Sequence, residues 1–178
     1  MKTFLCLLIT LLSLHLMAQT ITDFPNNQSL KNWKIVNDDV MGGISNSKVY
    51  LNSTNHAVFE GVVSLENYGG FCSLRYNFNR IAVAGKKNLK IKLKGDGKNY
   101  QLRIKNKRSD YQSYIKSFST SGEWQLINIP LKEMYPSFRG RRLNMKNFHA
   151  DFFEQITFLI GNKKPERFSL IIESISLH

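Results

Sequence analysis

Cysteine is nearly missing from this chain, and so is any acidic counterweight to its lysines and arginines. Only Cys6 and Cys72 occur in 178 residues, and Cys6 falls inside a leader-like segment, so no intramolecular disulfide can staple the rest of the chain. Stability then has to come from a packed core, which a chain of this size can build within one domain. Four prolines, with no Pro/Gly/Ser-rich linker, internal repeat or low-complexity tract, leave nothing that divides it. Thirteen Asp and Glu against 25 Lys and Arg give a formal net charge of +12. That imbalance favours solubility and attraction to anionic surfaces, whether nucleic acid, lipid, glycan or an acidic protein patch, and carries no information about fold.

The short motifs that announce catalysis or metals are missing too. No G-x-S-x-G nucleophile elbow and no H-E-x-x-H zinc motif occurs. His56, His149 and His178 have no metal-box spacing, and Gly95-x-Gly97 lacks the third glycine and following helix of a dinucleotide loop. Beyond net charge nothing matches a nucleic-acid-binding module, so no nucleic-acid partner is expected. Cys72 shares the strand parity of Leu74 and Tyr76 and reads as inert core.

Nor is there an apolar run long enough to span a bilayer. The stretch 4–16 is shorter than the roughly 20 residues a membrane helix needs. With Lys2 before it and Leu16-Met17-Ala18-Gln19 after it, residues 1–19 read as a secretory signal peptide cut near Ala18, without the arginines or amphipathicity of a mitochondrial transit peptide. The expected location is secreted or periplasmic, and the expected mature chain has no membrane span. Losing Lys2 alone would lower the +12 by one charge. Residues 20–178 then form a single domain.

What is present is alternation. Leu89, Ile91 and Leu93 interleave with Lys90, Lys92 and Lys94, and Tyr100, Leu102 and Ile104 with Gln101, Arg103 and Lys105, the period of half-buried strands. With the turn-rich Gly95 to Asn99 between them, residues 89–105 predict a β-hairpin whose outer face gathers Lys90, Lys92, Lys94, Arg103 and Lys105 into one basic face. Further strands are expected at 32–36, 48–51, 58–65, 71–78, 111–118, 124–129, 155–160 and 168–177, and 132–153 is the longest irregular stretch. This pattern predicts an all-β sandwich or jelly roll. Trp33 and Trp124, each with an apolar neighbour two residues on, are expected in the core, and Tyr68 and Phe71, beside Gly69-Gly70, at the surface.

The densest chemistry lies in the run from Trp33 to Ser47. Asn37, Asp38, Asp39, Met41, Gly42, Gly43 and Ser45 form a candidate binding loop leaving a strand, where the glycines permit positive φ and Asn and Asp hydrogen-bond nearby backbone. The two aspartates read as turn carboxylates, with calcium ligation or acid–base hydrolysis as alternatives; two carboxylates adjacent in sequence do not specify the spacing glycoside hydrolysis requires. Arg139 and Arg141, flanking Gly140, form a second candidate site for carboxylates or phosphates.

The pattern W-x-x-x-N-D-x-V-M-G-G-x-S-x-S from Trp33, then Phe59 and Gly61, then G-G-F-x-S-x-R from Gly69 to Arg75, resembles the complex I intermediate-associated protein 30 family. Gly95-Asp96-Gly97 with Tyr100, the segment 124–130, and Phe138-Arg139-Gly140-Arg141 extend the resemblance over nearly the whole chain. It implies a galactose-binding-like β-sandwich acting as a non-enzymatic assembly or chaperone-like accessory factor, with a protein partner and no catalytic set or cofactor; a structural calcium ion is left open. An exported protein does not share a compartment with mitochondrial relatives, so the partner is expected to differ. The alternative is a carbohydrate-binding module that takes a glycan.

Overall fold

The computed structural model describes residues 18–178; the predicted signal segment lies, up to residue 17, outside the described residues. In chain order the strands are β1 (Gln19–Asp23), β2 (Trp33–Ile35), β3 (Asn46–Leu51), β4 (Ala57–Val63), β5 (Cys72–Ala82), β6 (Asn88–Lys94), β7 (Asn99–Lys105), β8 (Ser113–Ser119), β9 (Trp124–Pro130), β10 (Tyr135–Phe138), β11 (Arg141–Arg142), β12 (Phe152–Ile160) and β13 (Glu166–Leu177). They form two antiparallel sheets. The six-stranded sheet runs β3-β4-β13-β6-β9 with β1 also on β13, and the seven-stranded sheet runs β11-β10-β8-β7-β12-β5-β2.

Alternation explains the sandwich. Leu89, Ile91 and Leu93 of one sheet and Leu102, Ile104, Ile156 and Phe158 of the other are all fully or almost fully buried in one core, and their polar neighbours face outward. Trp33 stacks on Tyr76 with ring centroids 4.5 Å apart, closing the β2 edge. Among the described residues no helix is long and apolar enough to cross a membrane.

The predicted 89–105 hairpin does not form. β6 pairs with β9 and β13, β7 with β8 and β12, so the intervening turn carries the chain from one sheet to the other. Asp96 holds this arch: its carboxylate accepts from the Tyr100 hydroxyl (2.9 Å), the Ser169 N–H (3.0 Å) and Lys98 Nζ (2.7 Å). A Cβ on Gly95 would lie 2.3 Å from the Thr120 side chain. The single basic face therefore divides. Lys90, Lys92 and Lys94 face out from the six-stranded sheet, Arg103 and Lys105 from the seven-stranded one. Alternation reports burial of one face and is silent about which strand lies alongside.

Trp124 also departs from expectation: it is 40% exposed and packs on the His56 ring at 4.9 Å. The run Trp124-Gln125-Leu126-Ile127-Asn128-Ile129 has apolar residues in both phases, and Ile127 and Ile129 take the inner one. The stretch expected to be irregular contains the β10–β11 hairpin.

Candidate functional site

The chain leaving β2 makes a 3-10 turn over Asp38–Met41 and ends it at Gly42, whose φ is 91°, a conformation costly for residues with a Cβ. The Gly43 N–H returns to the Asp38 carbonyl at 3.0 Å, and a Cβ on Gly43 would meet Asp38 Oδ1 at 2.3 Å. Both glycines are thus required by geometry, one for φ and one for space.

Asp38 is fully buried. Its Oδ1 accepts from the Ser45 N–H at 3.0 Å, and its Oδ2 from the Ser45 hydroxyl at 2.5 Å, the Gly70 N–H at 2.6 Å and the Phe71 N–H at 3.1 Å. Burial pushes the carboxyl pKa up, but these hydrogen bonds outweigh it and hold the group below the ordinary carboxylate value. Ser45 Oγ in turn accepts from the Ser64 N–H at 2.9 Å, Asn37 Oδ1 accepts from the Ser47 hydroxyl at 2.8 Å, and the Ser73 hydroxyl donates to the Val36 carbonyl. Gly69 closes the arrangement, since a Cβ there would lie 2.8 Å from Asp38 Oδ2.

The two sequence motifs are therefore one object. Asn37, Asp38, Gly43 and Ser45 are buried, and Asp38 and Ser45 lock to the 64–73 segment while Asn37 ties to Ser47 and Gly43 to Asp38. The alternatives for Asp38 fall on the same geometry: its oxygens meet N–H and O–H donors, an environment for an anion and against a calcium ion, and a buried carboxylate with lowered pKa is neither reachable nor protonated for acid catalysis. Among the described residues no group of three or more His, Cys, Asp or Glu side chains gathers to hold a metal. Burial raises the Cys72 thiol to about 11, with the Asp38 and Asp39 charges adding to it, as suits an inert core cysteine.

Asp39, Val40, Met41 and Ile44 point the other way. Val40, Met41 and Ile44 are 66%, 62% and 53% exposed, and across the lock Leu65 and Tyr68 are 42% and 92% exposed. Asn67 and Tyr68 both have positive φ, 52° and 61°, uncommon for a non-glycine and an outlier for a bulky ring. Ile44, Leu65 and Pro165 line one shallow depression beside this end of the sandwich.

Arg139 and Gly140 are the two central residues of the β10–β11 hairpin, where Phe138 pairs with Arg141; their φ values of 48° and 77° are those of a type I′ turn. The Arg139 guanidinium lies 5.3 Å from the Phe138 ring centroid. Arg139 and Arg141 are exposed at the hairpin, away from the Asp38 lock in sequence and on a different element.

The outer face of the seven-stranded sheet holds residues that sequence reasoning missed. Lys34 pairs with Arg75, Arg75 with Thr157, Thr157 with Arg103, Arg103 with Ile115 and Ile115 with Tyr135, one transverse row on a single face. Gln155, paired with both Asn77 and Lys105, begins a second row. Arg103 is held by the Gln101 side-chain oxygen at 3.0 and 2.6 Å, and burial, opposed by Tyr135 and reinforced by Arg75, lowers its pKa to about 10. Arg75 ends the G-G-F-x-S-x-R pattern, and that position was its only signal.

Two face-packed antiparallel sheets define an all-β sandwich of the jelly-roll kind. The chain belongs to the complex I intermediate-associated protein 30 (CIA30) family, whose model matches residues 22–172. No curated protein matches the chain. Among solved structures it is similar to the family 11 carbohydrate-binding module of Clostridium thermocellum in complex with a β-1,3-1,4-mixed-linked tetrasaccharide, at 15% identity and TM-score 0.66 over 90% of this chain and 94% of that one. The family 11 carbohydrate-binding module of the cellulosomal cellulase Lic26A-Cel5E of Clostridium thermocellum aligns at 14% identity and TM-score 0.67, over 90% of this chain and 94% of that one. The agarase AgWH50C aligns at 12% identity and TM-score 0.62, over 90% of this chain and 24% of that one. These likenesses describe the fold.

Proposed function

We propose that this protein is a non-enzymatic, exported binding protein that docks a protein partner through the loops at the Asp38 end of the sandwich, as an assembly or chaperone-like accessory factor. The observation that carries the reading is that Val40, Met41, Ile44, Leu65 and Tyr68 stand exposed on two loops clamped by a buried carboxylate. Apolar side chains grouped on a surface mark interaction sites, and clamping them in advance reduces the ordering cost of association. Tyr68 held in solvent at positive φ is the kind of backbone strain that collects at ligand clamps. Family membership supports the same class of function.

The test is capture from envelope and secreted fractions with wild type and with a Val40→Ser/Met41→Ser/Ile44→Ser variant. Because these side chains are exposed, the variant keeps its thermal unfolding midpoint and loses at least about 1–2 kcal/mol of affinity for the captured protein. Equal capture by a stable variant contradicts the proposal.

A second reading, a carbohydrate-binding module, is favoured by a different observation: the polar outer face of the seven-stranded sheet, where Thr157 and Gln155 of β12 lie between Arg75 and Asn77 of β5 and Arg103 and Lys105 of β7.

A further inference from the structure

Among the described residues the cations of β5 and β7 are treated differently: Arg80 of β5 pairs with Glu154 of β12 at 3.6 Å, while Arg75, Arg103 and Lys105 have no such partner. On the six-stranded sheet Lys92 pairs with Glu173 at 3.0 Å and Lys48 with Glu60 at 3.2 Å. On the seven-stranded sheet, among the described residues, no carboxylate lies within salt-bridge distance of Arg75, Arg103 or Lys105. Lys105 reaches only the Asp110 backbone carbonyl, and Arg103 only the neutral Gln101 amide.

Three facts make this arrangement costly. Arg75 and Arg103 flank Thr157 on adjacent strands, so their backbones are about 10 Å apart, and Lys105 follows on the same face of β7. Like charges on one sheet face repel. All three are partly desolvated, since burial lowers the pKa of each and the Arg75 charge adds to the lowering at Arg103 and Lys105, with Tyr135 opposing it at Arg103 and the Asp110 carboxylate at Lys105. Nor do they guard an edge against aggregation, because β5, β12 and β7 are interior strands with a partner on each side.

We infer that this face is a binding site for an acidic glycan, a sugar chain bearing carboxylate or sulfate groups, with Arg75, Arg103 and Lys105 taking the anions and the half-buried Asn77 and Gln101 amides the hydroxyls. The inference rests on the second reading above, that this face binds carbohydrate. Guanidinium forks pair bidentately with planar or tetrahedral oxyanions. The rest of the face supplies amides, the complement of sugar hydroxyls. A protein interface would need a central apolar anchor, and Ile115 and Leu159 are buried at 3% and 8% exposure. The exposed Tyr111 and Phe138 rings beside β8 offer a single-stranded nucleic acid a surface to stack on, which the oligonucleotide probe below tests.

The experiment is calorimetric titration of the protein with four probes: an oligogalacturonate, a sulfated galactan oligosaccharide free of uronate, a neutral mixed-linked β-glucan oligosaccharide and a single-stranded oligonucleotide. Wild type is compared with Arg75→Gln/Arg103→Gln, with Lys105→Gln as a milder second variant, and with Lys90→Gln/Lys92→Gln on the opposite sheet as a control. One of the two acidic sugars binds wild type, the two arms separating carboxylate from sulfate. Its affinity falls about tenfold or more in the double variant, falls measurably in Lys105→Gln and is unchanged in the control. Binding of the neutral glucan alone, indifferent to Arg75→Gln/Arg103→Gln, would overturn the inference while leaving the carbohydrate reading standing. Binding of no sugar would overturn both, and an oligonucleotide bound as tightly as the acidic sugar would overturn the assignment to a glycan.

Discussion

A carboxylate removed from water with no cation beside it is unfavourable unless hydrogen-bond donors replace its hydration shell, and Asp38 meets that condition through Ser45, Gly70 and Phe71. Its folded pKa is lowered, so its ionised form stabilises the fold above the unfolded-state value of about 3.9 and that contribution is lost as pH falls through the folded value. Asp38→Ala strands those donors and is expected to cost at least about 3 kcal/mol. In urea unfolding, the stability gap between wild type and Asp38→Asn shrinks below about pH 4. A gap independent of pH would show that the ionised carboxylate is not what holds the lock. The sequence announces an aspartate that hydrogen-bonds backbone beside a glycine pair. It does not announce the partners, because Gly70 is 32 residues away and no local rule spans that distance.

At the level of strands and turns, strand positions were legible and strand partners were not. The Leu89 and Leu102 repeats identify two half-buried strands, and a turn between them suggests a hairpin, yet each strand finds other partners once both inner faces must share one core. Asp96 makes the crossing specific by tying the turn to β13 through Ser169 and to β7 through Tyr100. Burial, and then the neighbouring Asp96 charge, raise the Tyr100 phenol well above its usual range, so it stays a neutral donor. Asp96→Ala is expected to lower the unfolding free energy by about 2 kcal/mol through loss of partners for the Tyr100 hydroxyl and the Ser169 N–H. Asp96→Asn, which keeps an acceptor, loses less. Equal stability of Asp96→Ala and wild type in urea melts would contradict this role for the arch. The Arg139-Gly140 turn was visible as a glycine between arginines, but its I′ geometry required knowing that Phe138 and Arg141 pair.

Across the sandwich as one body, the net charge of +12 gains meaning only from where the charges lie. Composition supplied the excess and alternation placed the lysines outward, but the gathering of Arg75, Arg103 and Lys105 on one face depends on sheet order. The same is true of the loop end, where two motifs far apart in sequence become one support for exposed apolar side chains. Docking of a protein partner on that supported surface is open to direct observation by amide hydrogen exchange, on the protein alone and with the captured partner bound. Added protection is expected to concentrate in residues 38–45 and 64–71, with the strand carrying Lys90, Lys92 and Lys94 unchanged. Protection confined to other segments, with both loops exchanging as in the free protein, would contradict docking at this end of the sandwich.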